Sequence, residues 1–230
     1  MPGIETFRSS SLCAVYDDNG SITKIVRKNG ESAGFVLSQT DPAATENTFS
    51  VAGVELVSWD DLQCPPEAFN ANGTPSPPTL DNTTVPGTWL FSGTTENNLA
   101  VIRQMPHRWK QASAIRPHVH WEKTTTSSGE VMWQWCYTIA NVGDVFPAYS
   151  AYVDCTSAVS HSNTVRKHAI STFPEVDMTG KRESCIICIQ FRRLPSHASD
   201  TYGADARFLE SDIHYQTNKD GTKAEYPVAG

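Results

Sequence analysis

"VMWQWCYTIA", residues 131–140, alternates without a break. In an extended chain successive side chains leave opposite sides of the backbone, so Val131, Trp133, Trp135, Tyr137 and Ile139 share one face. A helix would scatter the same residues around its circumference. Each aromatic removes roughly 150–250 Å² from water when buried. That face is therefore core or interface, and the segment reads as a strand.

Working outward, the same kind of segment recurs on both sides. "TWLFSG" (88–93), "NLAVIRQMP" (98–106) and "AIRPHVHWEK" (114–123) precede it. "AYSAYVD" (148–154), "HAISTF" (168–173), "SCIICIQFRRL" (184–194) and "ARFLESDIHYQT" (206–217) follow. No stretch keeps a helical apolar period over three turns. Short strands punctuated by turn residues predict an all-β fold, an antiparallel β-sandwich of the jelly-roll-like kind.

Residues 58–230 are assigned to that sandwich, and residues 1–57 to an N-terminal β-meander that serves as an attachment region. Asn19-Gly20 and Asn29-Gly30 stand between β-prone runs, and Asn-Gly supplies the positive φ angles of two-residue hairpin turns. "NTFSVAGVELVSW" (47–59) is a further β-prone piece. Residues 64–88 hold six prolines, which remove ladder donors. They read as a long loop laid over another surface, and the sequons at Asn72 and Asn82 as incidental.

Lys and Arg total 18 against 25 Asp and Glu, a net charge of −7 that argues against a nucleic-acid partner. Apolar runs extend only a few residues, which excludes a membrane-spanning helix. The N-terminus lacks an apolar stretch suited to secretion, so synthesis in a cytoplasm is expected. Of the six cysteines, Cys185 and Cys188 have CxxC spacing. Their odd offset on a strand sends the thiols to opposite faces, and there is no second such pair to complete a zinc set. Ordinary reduced cysteines are expected.

"IRPHVHWEK" (115–123) places His118, His120 and Glu122 on one face of a strand. Such residues ligate zinc, iron or manganese when further ligands converge, with His107 and His214 as candidates and Asp212 and Gln216 on the face of His214. Same-face imidazoles also hydrogen-bond across strands and stack on rings. The structural role is the expectation for His118 and His120, with no metal, no cofactor and no catalytic residue. Asp60 and Asp61 are adjacent, so a strand would turn them apart and they cannot bracket a glycosidic bond. In "SWDDLQ" they are expected to hydrogen-bond a turn or to bind the backbone of a neighbour. There is no Gly-x-Ser-x-Gly elbow and no phosphate-cradling loop. The protein is not expected to be an enzyme.

Trp89, Trp109, Trp121, Trp133 and Trp135 crowd into 47 residues. A sandwich interior is only about 10 Å thick, so some of them are expected at a subunit interface, where tryptophan is enriched. Stacking on a carbohydrate is the rival use.

Five blocks in order carry a resemblance: "VSWDDLQCP" (57–65), "RQMPHRWKQASAIRPHVHW" (103–121), "YTIANVGDVF" (137–146) and "LESDIHYQTNKDGTKAEY" (209–226), the second holding both the "PH" and "PHVHW" elements. Together they resemble a family of tailed-bacteriophage virion structural proteins, over roughly residues 57–226. Cys64-Pro65-Pro66 after "WDDL" departs from the family pattern and leaves that corner open. The resemblance implies a place in a virion assembled in the host cytoplasm. The expected function is capsid decoration, a cement protein acting as a homo-oligomer, a trimer, bound non-covalently to the major capsid protein. A tail adaptor or glycan-recognising receptor-binding component is the alternative within the virion. A cupin-like metal-dependent enzyme centred on His118 and His120 is the alternative from another class.

Overall fold

The computed structural model describes residues 57–71, 76–156 and 163–218, and of the first 56 residues only six strands. These are β1 (Ile4–Thr6), β2 (Leu12–Tyr16), β3 (Ile22–Arg27), β4 (Ser32–Phe35), β5 (Ser50–Val51) and β6 (Val54–Glu55). Each pairs antiparallel with the next, giving a sheet in chain order. The Asn19-Gly20 and Asn29-Gly30 turns between them lie outside the described residues, as do Asn72 and residues 219–226 of the last resemblance block.

Ten further strands build a β-sandwich. They are β7 (Ser58–Cys64), β8 (Thr79–Asp81), β9 (Thr88–Phe91), β10 (Asn97–Gln104), β11 (Arg116–Lys123), β12 (Trp133–Ala140), β13 (Val153–Asp154), β14 (His168–Thr172), β15 (Ile186–Arg193) and β16 (Ala206–Thr217). One sheet runs β10-β15-β12-β13; the other runs β14-β11-β16-β9-β8, with β7 also paired to β16. All pairings are antiparallel. From β9 to β12, and again from β13 to β16, each strand lies in the opposite sheet from its predecessor. Most ladders therefore join strands distant in sequence, and the inner faces are brought together by the chain's own crossings.

The core is aromatic. Trp121 lies 6.2 Å from Trp133 across the sandwich, and Phe91 meets Trp133 edge-on at 4.9 Å. Phe208 packs against Phe91, and Trp135 stacks on Phe191 at 6.0 Å. Edge-to-face and offset packing of this kind lets rings interlock instead of lying flat. Trp109, Trp121, Trp133 and Trp135 are at most 1% exposed. The expected surplus at an interface is therefore not found for these four. Rings from β11 and β12 nest inside, and Trp109 enters from the β10–β11 connection, bridging Thr217. Trp89 is half-buried and donates to the Pro66 carbonyl oxygen at 2.9 Å. The exposed tryptophan is Trp59, outside the crowded group.

Two buried arginines fasten the edges. Arg193 is fully buried, donates to both oxygens of Asp200 at 2.8 and 2.9 Å, and reaches the carbonyl oxygens of Phe91, Tyr202 and Ala204. Arg207 donates to Asp81 and Glu122 in a second buried cluster. Gly129, at φ +120°, lets the 125–130 turn approach Thr201 and Tyr202, where a Cβ would meet the Thr201 carbonyl oxygen at 2.5 Å.

Three local expectations are corrected. "SWDDLQ" is strand β7, because twelve-residue β16 offers an edge that pairs Ser58–Cys64 with Ser211–Thr217. The proline-rich stretch contains β8 at its proline-free Thr79–Asp81. In "AYSAYVD" only Val153–Asp154 is strand. Its first residues are held by other bonds, such as Ser150 N–H to the Tyr137 carbonyl oxygen at 2.8 Å. The CxxC thiols do part, Cys185 being buried and Cys188 partly exposed on the other face.

Candidate functional site

On β11 the core takes Val119 and Trp121, so His118 and His120 face outward. On β16 the core takes Phe208, Ser211, Ile213 and Tyr215, leaving Asp212 and His214 outward. Phe208 and Ser211 are an odd number of residues apart, and strict alternation would put them on opposite faces. A register shift opposite His120 and Trp121 absorbs the extra residue. The result sets Asp212 directly across from His118, and His214 across from Asp61 of β7.

These side chains converge. His118 Nδ1 and His120 Nε2 each stand 3.5 Å from Asp212 Oδ1. His214 Nε2 lies 3.4 Å from Asp212 Oδ2 and 3.0 Å from Asp61 Oδ1. The His118 and His214 rings sit 4.2 Å apart, centre to centre. His120 Nδ1 is 2.7 Å from His168 Nε2 on β14, and those two rings stack. Burial by itself would push the Asp212 carboxyl up, but His118 and His120 beside it hold it well below the usual range. Asp212 in turn raises His120 against the opposing effect of burial.

The expected cross-strand contact is present for His120. His214 and Asp212 join the group, and Asp61, expected to bond a turn or a neighbouring backbone, borders it through His214 instead. Asp60 points the other way, accepting from the Tyr215 hydroxyl at 2.8 Å and from Arg108 at 3.0 Å. Glu122 shares the outward face but is drawn to Arg207. His107 is 2.6 Å from the Ser184 hydroxyl. The interior, which a cupin-like site would use, is filled by aromatic rings.

Two other surface features were not legible from periodicity. The first is the connection after β12, where Val142, Val145, Phe146 and Tyr149 are exposed, Val145 at 91%. Its ends are tied down. Asn141 Nδ2 donates to Asp144 Oδ2 at 2.9 Å, Asn141 Oδ1 accepts from Arg182 N–H at 2.8 Å, and Thr138 Oγ1 donates to the Pro147 carbonyl oxygen at 2.8 Å. The second is a cleft of about 310 Å³ beside Trp59, lined also by Lys110, Arg116, Glu175 and Gln216. The Arg116 guanidinium lies 4.9 Å from the Trp59 ring and pairs with Glu175.

Among the described residues no helix is long and apolar enough to cross a membrane. No protein-family model matches the chain, and no curated protein matches it in sequence. Among solved structures it is similar to dimeric latent PorU from Porphyromonas gingivalis, with 9% identity and a TM-score of 0.35 over 100% of this chain and 21% of that one. TmCBM61 in complex with β-1,4-galactotriose gives 10% identity and a TM-score of 0.28 over 70% of this chain and 88% of that one. Infectious bursal disease virus, Gt strain, gives 10% identity and a TM-score of 0.26 over 90% of this chain and 43% of that one. The chain thus spans about a fifth of the PorU chain's length.

Proposed function

We propose that the protein is a structural component of a tailed-bacteriophage virion that works by binding. It is deployed as a homotrimer, decorating the capsid through non-covalent contacts with the major capsid protein. The observation that supports this most is the pinned apolar loop over residues 142–149. Soluble proteins seldom leave such a cluster in water without a partner. Burying a Val or Phe side chain gains roughly 1.5–3 kcal/mol, and a loop already held in place loses little freedom on docking. "NVGDVF" is also one of the blocks that carry the resemblance. A trimer presenting three such loops multiplies modest contacts through effective concentration. The acidic balance of −7 suits a protein kept soluble before assembly.

The test is binding to purified capsid shells by the wild type and by a Val145→Asp/Phe146→Ser variant. Both residues are exposed, so the variant should keep its melting temperature while losing capsid binding at least tenfold. Equal binding by the two proteins would overturn the loop's role, and a virion stoichiometry of a few copies would overturn decoration. The second reading is a glycan-recognising tail component, favoured by the exposed Trp59 face beside the polar groups of its cleft. Glycan-array binding abolished by Trp59→Ala would select it.

A further inference from the structure

The strongest unexplained feature of the molecule is the outward-facing group on β11 and β16. Asp212 is 93% buried, yet its Oδ1 accepts no hydrogen bond, and His118 Nδ1, also buried, makes none. A buried carboxylate oxygen and a buried ring nitrogen normally find hydrogen-bond partners, because each loses its water on burial and gains nothing in return if left unpaired. Here the two atoms stand 3.5 Å apart, within ion-pair range but with no hydrogen bond between them. We infer that His118, Asp212 and His214 form a binding site for a divalent first-row transition ion of the zinc class.

Spacing is the first support. Ligand atoms 2.0–2.1 Å from a tetrahedral ion stand about 3.3–3.4 Å from one another. His118 Nδ1 stands 3.5 Å from Asp212 Oδ1 and His214 Nε2 3.4 Å from Asp212 Oδ2, so the two imidazoles flank one carboxylate, and one ligand atom from each of the three residues lies within 4.8 Å of the others. Modest side-chain rotation closes the set. Two imidazoles and one carboxylate form a donor set that zinc and iron(II) both accept, with a position left for water.

The surroundings are the second support. Ligating groups are usually oriented by a further layer of hydrogen bonds. His214 has Asp61 Oδ1 at 3.0 Å. His120, which approaches Asp212 Oδ1 from the other side, is fixed through its second nitrogen by His168 at 2.7 Å. Two carboxylates, Asp212 and Asp61, stand among these imidazoles, and a divalent cation held there would sit beside both. The ligands also stand on central paired strands, β11 and β16, whose ladder fixes their separation. This departs from the expectation that His118 and His120 are purely structural, and it is independent of the binding role proposed above. Of the two further candidates, His214 with Asp212 beside it on β16 reaches His118 from nearly a hundred residues away, and His107 does not.

The experiment uses the full chain, stripped with EDTA, dialysed and titrated with CoCl₂ and ZnCl₂. One equivalent of cobalt per chain should bind and develop visible d–d absorption, which zinc should displace. His214→Ala sits on the partly exposed rim and should fold, yet lose at least about 100-fold in affinity. Asp212→Asn keeps the shape of the side chain and should lose as much, while Asp61→Asn, an outer partner, should lose about tenfold. His197→Ala, near Asp154 elsewhere, should bind as the wild type does. The inference is overturned if cobalt shows no one-to-one binding, or if His214→Ala binds as tightly as wild type. Either result would make the group a cluster of ion pairs only. Should Asp212→Asn fail to fold, the His214→Ala comparison still decides.

Discussion

Replacing Asp200 by Ala tests how the sandwich edge is held. Arg193 is fully buried, and Asp200 is the carboxylate facing its guanidinium, taking two of its N–H groups and the Met132 N–H at 3.1 Å. Removing the acid leaves a cation in the interior with only the carbonyl oxygens of Phe91, Tyr202 and Ala204. Breaking a buried pair from one side costs about 3–5 kcal/mol, since the remaining charge cannot return to water. A domain of this size shifts by about 2–4 °C per kcal/mol, so the melting temperature should fall by about 6–20 °C. Differential scanning calorimetry of Asp200→Ala beside Glu96→Ala provides the scale. Glu96 pairs with Arg192 at 2.9 Å nearer the surface, and such pairs contribute about 1 kcal/mol or less. The double variant Arg193→Met/Asp200→Leu should regain much of the loss, because apolar groups need no partner. Equal shifts for Asp200→Ala and Glu96→Ala would refute the reasoning.

Acid stability should report on Asp81. Backbone N–H groups of Thr83 and Thr84, and then Arg207, hold its carboxyl well below the usual value against the opposing effect of burial. A depressed folded value stabilises the fold above the unfolded value of about 3.9 and stops doing so as pH falls through the folded one. In urea titrations the stability gap between wild type and Asp81→Asn should therefore be full at pH 6 and shrink below pH of about 4; a constant gap down to pH 2 would contradict it. Thiol reactivity should divide the described cysteines, since burial pushes Cys64 and Cys185 up to about 11. At pH 8 only about one in a thousand of either is thiolate, so partly exposed Cys188 should be alkylated first in the native protein. Mass spectrometry finding Cys64 modified as fast as Cys188 would show that the core is not closed around it.

Much of the sandwich was legible because strand alternation is a local property. Val131–Ile139 displays its inner face within nine residues, and β11, β15 and β16 do nearly the same. β7 was hidden because "SWDDLQC" mixes polar and apolar residues on each face and becomes a strand only where β16 offers it an edge. The residues 148–152 failed in the opposite direction. Their β-prone composition is overridden by the anchoring of the preceding loop, which leaves only Val153–Asp154 to pair. The exposure of Val145 and Phe146 had no sequence signal either, since an apolar pair in a loop looks the same whether it is covered or not.

The histidine group marks the boundary most clearly. The sequence by itself determined that His118 and His120 share a face and that His214 travels with Asp212, because side chains two apart on a strand must point the same way. Whether the two pairs meet depends on which strands become neighbours and in what register. The shift opposite His120 and Trp121 sets that register, joining segments separated by some ninety residues. Only tertiary structure decided it, since pairing between distant strands is chosen by the burial of both inner faces together and by no short run of residues alone.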